Sequence, residues 1–218
     1  ASLRRLIDLG RNAEIVAWLG RIASAEIETR PRFWAPAGWA LANTNRGEEA
    51  RSFAEAIRNN PNAGEFERYE ADLIQSAASA HNDDHDNWDL LPQRWPAPPK
   101  YAEPSQMVIH SVSLAHRAIL SGRPETGRQC LNMPLIAPNP SRPIAPVSLS
   151  FAEALRGLSY LWEGKPLTAA GILRQGLTSA EASMDRRSRA ALTLAALLAE
   201  AALASGDAAE AARVLSQR

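Results

Sequence analysis

The stretch Ser150–Leu177, SFAEALRGLSYLWEGKPLTAAGILRQGL, decides how the rest of the chain is read. Gly157, Tyr160, Gly164, Ala169 and Leu173 follow one another at offsets of 3, 4, 5 and 4. Those offsets put a small residue and a ring one helical turn apart, then a breaker, then a second small–large pair one turn apart. Gly164 is free to take positive φ and end the first helix, and Pro166 fits the first turn of the next. The unit is a helical hairpin with two apolar stripes facing each other. A lone hairpin leaves its outer face bare, so the pattern predicts copies of itself.

Copies are present. In Ala190–Gln217, Gly206 stands for Gly164, Ala211 for Ala169 and Leu215 for Leu173, 42 residues on. Steps of 42 and then 40 residues backwards meet Gly122, with Gly127 and Leu131 behind it, and then Asn82, with Leu91 nine residues later. Asn45, followed by Ala50, and Gly10, followed by Leu19, complete the series. Asn tolerates a left-handed helix end better than any residue but Gly. Six turn residues 35 to 42 apart predict stacked helix pairs. The expected fold is all-α: a right-handed α-solenoid of about six antiparallel pairs, of the tetratricopeptide-like kind, forming one domain over residues 1–218.

Working outward, the expected helices are Ser2–Leu9, Ala13–Ile22, Arg32–Thr44, Glu48–Arg58, Glu65–Ala80 and Asp84–Leu91 in the first half, with a short turn over Ala25–Thr29. The second half reads Gln106–Leu120, Glu125–Leu131, Val147–Trp162, Leu167–Ser183, Arg187–Ala204 and Ala208–Ser216. Two proline-rich breaks, Pro92–Pro104 and Pro134–Pro146, hold most of the fifteen prolines. Each joins one pair to the next, as a rigid spacer or as a lid over a partner. The chain opens on Ala1 and stops at Arg218, inside what reads as a final helix and without a polar capping unit. It is therefore expected to be a piece of a larger, multidomain protein.

Composition narrows the function. Lys and Arg number 24 against 24 Asp and Glu, so the clustered basic excess that grips phosphate backbones is missing. One cysteine, Cys130, fits a reducing compartment and a small packed residue better than a nucleophile. No apolar run of membrane-spanning length and no leader appears, so no membrane partner and a cytoplasmic location are expected. Gly164-Lys165-Pro166 lacks the phosphate-cradling loop, and no paired-Cys, HExxH or GxSxG motif occurs. His81-Asn-Asp-Asp-His85-Asp86 has metal-like composition, yet the helix break expected at Asn82 separates the histidines. Asp83, Asp84 and Asp86 read instead as acids at the start of the next helix. The chain is expected to be no enzyme and to hold neither metal nor cofactor.

Trp34 and Tyr160 occupy positions expected to be core. The inner faces of the first helices carry Arg32, Trp39 and Asn43, then Tyr69, Asp72 and Ser76, then His116, Trp162 and Glu200. These nine residues are the candidate ligand or partner groove, since a concave face of rings and hydrogen-bonding groups is how solenoids bind. Packing of Trp39 and Trp162 against neighbouring pairs is the competing reading.

The segment from Gly157 to Arg218 resembles the central helical-repeat region of LuxR-type, MalT-like transcriptional regulators. Leu3-Arg4-Arg5-Leu6, Gly10, Trp18-Leu19, Arg30-Pro31 and Trp39-Ala40-Leu41 are similar, in order, to the start of that region. Asn45 and Asn82, where Gly is commoner, and the proline inserts depart from it. The resemblance implies a sensor domain that binds a small-molecule inducer or a regulatory protein. It would control an ATPase domain, where ATP binds, and a helix-turn-helix domain, through which alone DNA is bound. Both lie elsewhere in the parent, and self-association of the repeat domain is left open. A tetratricopeptide scaffold that joins proteins, with no small-molecule site, is the alternative.

Overall fold

A computed structural model describes residues 3–22, 26–27, 29–82, 84, 90–132 and 143–217. Among them the chain is all helix, with no strand. The helices are α1 (Leu3–Asp8), α2 (Asn12–Leu19), α3 (Trp34–Ala42), α4 (Gly47–Asn59), α5 (Glu65–His81) and α6 (Leu90–Arg94). They continue with α7 (Pro104–Leu120), α8 (Pro124–Leu131), α9 (Pro146–Trp162), α10 (Pro166–Ser183), α11 (Arg189–Ala204) and α12 (Ala208–Ser216). A 3-10 turn over Pro31–Phe33 leads into α3. Proline opens α8, α9 and α10, where its missing N–H deprives no carbonyl of a partner.

Five bends close in one way. Gly10, Asn45, Gly122, Gly164 and Gly206 have φ of 71, 60, 75, 69 and 85°, and Asn45 is the one non-glycine with positive φ among the described residues. At each, the next residue's N–H reaches the carbonyl five back: Arg11 to Leu6, Arg46 to Leu41, Arg123 to Ala118, Lys165 to Tyr160 and Asp207 to Ala202, at 2.8–3.1 Å. That bond satisfies a carbonyl the helix end would otherwise strand. Five residues beyond the bend come Ile15, Ala50, Gly127, Ala169 and Ala211, all buried. The sequence spacing predicts these five corners correctly.

Asn82 is the exception. It caps α5 with φ −118°, and the bond to the carbonyl five back is made by Asp84, to Ser79 at 3.0 Å. The corner therefore closes one residue later than expected, and Asp83 lies outside the described residues. Pro92 also departs from expectation: it sits within the first turn of α6, where no intrahelical donor is needed, rather than opening a break. The helix expected over Asp84–Leu91 and the break over Pro134–Pro146 fall largely outside the described residues, as do two residues of the short turn expected over Ala25–Thr29.

The chain divides into two compact units, Ala1–Gln106 and Met107–Arg218. The boundary falls within the first turn of α7, just after the proline-rich stretch that ends at Pro104. In the first unit α1 packs on α2 and α3, α2 on α3, α3 on α4 and α5, α4 on α5, and α6 on α5. In the second, α9 packs on α8, α10 and α11, α10 on α11, and α11 on α12. In these contacts a helix meets the next in sequence and, at α1–α3, α3–α5 and α9–α11, the next but one.

The core of the second unit is alanine and leucine: Ala154, Ala169, Leu173, Leu177, Ala191, Leu194, Ala195 and Leu198 form one buried cluster, closed at its end by Val214. Helices lined with small residues approach closely. A Cβ on Gly157 would lie 2.4 Å from Leu173 Cγ, so α9 and α10 meet where a side chain is missing. Leu215, the expected counterpart of Leu173, is 53% exposed, and its neighbour Val214 takes the inward position.

Candidate functional site

An apolar cleft of about 520 Å³ opens in the first unit between α2, α3 and α4. From α2 and the residues after it come Val16, Leu19, Gly20, Ile22 and Ile27; from α3, Trp34 and Leu41; from α4, Phe53 and Ala56. Its volume is within the range of small-molecule sites, roughly 300–1,000 Å³. Trp34 is a half-buried wall of this cleft rather than a core residue, and its indole N–H donates to the Ile27 carbonyl at 3.1 Å. Polar groups enter along one line, Arg46, Glu49 and Ser52, spaced one turn apart on α4. Arg46 clasps Glu49 through Nε and Nη2, both at 2.6 Å. The frame taken from the inner faces of the first helices missed this cleft, because second helices α2 and α4 supply most of its wall.

Six of the nine expected groove residues belong to the first unit and three to the second. Trp39, Tyr69, Asp72 and Ser76 are buried in the first unit, around α5. Asp72, 5% exposed, accepts from Arg58 at 2.9 Å, Arg94 at 2.8 Å and the Trp95 indole at 2.9 Å. Glu70 accepts from Arg4 at 2.9 Å and from the Trp39 indole at 3.0 Å. Tyr69 meets Trp95 edge to face, 5.1 Å between centroids, and burial pushes its phenol well up. These groups hold the unit together, since a buried charge persists only when paired. Asn43 is half-buried and donates to the Trp39 carbonyl at 2.9 Å. Arg32 is exposed, its guanidinium 4.9 Å from the Phe33 ring centre.

In the second unit His116 is half-buried, Glu200 exposed and Trp162 52% exposed. Leu149, Leu192 and Leu203 are further exposed apolar groups on α9 and α11. Tyr160 is half-buried against the core, with the Arg128 guanidinium 4.5 Å from its ring centre. Hydrogen bonds from Lys165 and Arg128 hold the Glu163 carboxyl below its usual range. Cys130 is half-buried, and burial pushes its thiol up, away from the reactive thiolate. His110 is buried, which lowers its pKa to about 4 and keeps it neutral.

α5 ends at His81, and Asp84 pairs with Arg51 of α4. Asp83, His85 and Asp86 lie outside the described residues. Among the described residues no three His, Cys, Asp or Glu side chains gather to hold a metal, and no helix is long and apolar enough to cross a membrane. No family model matches the sequence, and neither curated proteins nor solved structures yield a match.

Proposed function

We propose that this chain is the effector-binding sensor domain of a LuxR/MalT-type regulator, with the cleft between α2, α3 and α4 as its ligand site. The observation that carries the reading is a half-open cleft whose walls include Trp34, Phe53 and several aliphatic side chains. The five equivalent corners support reading the helix pairs as a tetratricopeptide-like right-handed α-solenoid of about six pairs. In such an array a ligand touching α2, α3 and α4 at once favours one spacing of two consecutive pairs. Only that difference in affinity between spacings can pass the event on, to the parent's ATPase and DNA-binding domains in a cytoplasmic protein.

Titration of the chain with Nile red, a neutral apolar dye, tests the site. Saturable binding is expected, lost in Ala56→Trp, which fills the cleft from α4, while the circular dichroism spectrum stays helical. Unchanged binding in that variant overturns the site. The gene on either side of this segment tests the parent: an upstream nucleotide-binding loop and a downstream helix-turn-helix are expected. A scaffold is the second reading, favoured by the exposed Leu149, Trp162, Leu192 and Leu203 on α9 and α11.

A further inference from the structure

We propose, resting on the cleft reading above, that the ligand is an uncharged molecule with an apolar body and at most one polar end, neither a carboxylate nor a polyhydroxylated compound. The walls exclude the second class. Among the described lining residues, Leu19, Leu41, Phe53 and Ile27 offer no polar side-chain atom, and the indole N–H of Trp34 is already taken by the Ile27 carbonyl. A ring of hydroxyls laid against those four side chains would lose water there and gain no side-chain partner from them, at a cost for every group left unpaired.

The mouth disfavours the first class. Its one cation among the described residues, Arg46, is held by two parallel hydrogen bonds to Glu49, and the two side chains are 44% and 53% exposed. The pair carries no net charge. A ligand carboxylate reaching Arg46 meets the Glu49 carboxylate at a similar distance, so attraction and repulsion offset each other. A neutral oxygen escapes that repulsion. It can accept from Arg46 Nη1, which makes no hydrogen bond to Glu49, and a neutral N–H can donate to the Ser52 hydroxyl, whose own proton goes to the Glu48 carbonyl at 3.2 Å. One polar end is as much as this edge serves.

Displacement of Nile red by 2-naphthamide and by 2-naphthoate, which share one body and differ in charge, tests the inference on the unaltered chain and on Glu49→Gln. The amide is expected to bind about fivefold more tightly than the carboxylate to the unaltered chain, an effect of the size measured for exposed charge pairs. In Glu49→Gln, where Arg46 is released, the carboxylate is expected to gain about fivefold and the amide to be unchanged. Three results overturn the proposal: naphthoate binding as well as naphthamide to the unaltered chain, the same preference in both forms, or neither compound displacing a bound dye. If Nile red itself fails to bind, the cleft reading falls and takes this one with it.

Discussion

Helices α5 and α11 are nearly the same length, 17 and 16 residues, and each runs through the middle of its unit, yet they are buried by opposite means. Along α5 the inward positions include Glu70, Asp72, Gln75, Ser76 and Ser79; along α11 they are alanine and leucine throughout, from Ala190 to Ala202. The first unit binds its central helix with charge-assisted hydrogen bonds to Arg4, Arg58 and Arg94 and to two indoles. Such bonds are directional, so they admit one arrangement of partners. The second unit relies on close approach, with small side chains letting helix axes come together and dispersion summing over many contacts. One unit is specified by pairing and the other by shape. The cleft lies in the unit specified by pairing, beside α4, whose Arg58 anchors Asp72.

The contrast can be broken at its strongest point first. Asp72→Ala leaves two guanidinium groups and an indole without their acceptor. Arg94 is half-exposed and can turn to water, whereas Arg58 is more enclosed, so the expected loss is about 3 kcal/mol in urea unfolding. Hydrogen exchange should place that loss in the first unit. A loss below about 1 kcal/mol would show that the network is ornamental to stability.

In the second unit the sensitive group is an absent one. Gly157→Ala should destabilise by about 1–2 kcal/mol, although alanine is the better helix former, because its methyl would strike Leu173. Gly171→Ala, inside α10 with nothing within 4 Å, should stabilise by about 0.5–1 kcal/mol. Thermal melts of the two variants moving the same way would refute the claim that shape holds this unit. The smallest effect is expected at the corner of the first unit: Asn45→Gly relieves a non-glycine residue at φ 60° and should raise stability by about 0.5 kcal/mol. A loss there would mean that the Asn45 side chain contributes more than its backbone conformation costs.

The corners were legible in the linear order of residues. A left-handed helix end is a local event, set by one residue's steric freedom and a bond five residues long, so Gly10, Asn45, Gly122, Gly164 and Gly206 announce themselves. Asn82 failed by a single position, because Asn is also a common helix cap with ordinary φ. The face assignment failed more broadly. Tyr69, Asp72 and Ser76 read as lining a groove because polar residues on a helix usually look outward. Only the three-dimensional arrival of Arg58, Arg94 and Trp95, 14 to 23 residues away in sequence, allows Asp72 to be inside.

What the sequence by itself determined is the all-helical class, the helix starts and stops in most of the chain, and five of the bends, because each depends on residues within a turn of one another. The tertiary structure alone decided which side of α5 is interior, where the chain parts into two units, and that an apolar cleft stands between α2, α3 and α4. Those outcomes depend on which distant side chains arrive to share a charge or leave a gap. Spacing along the chain carries no record of that meeting.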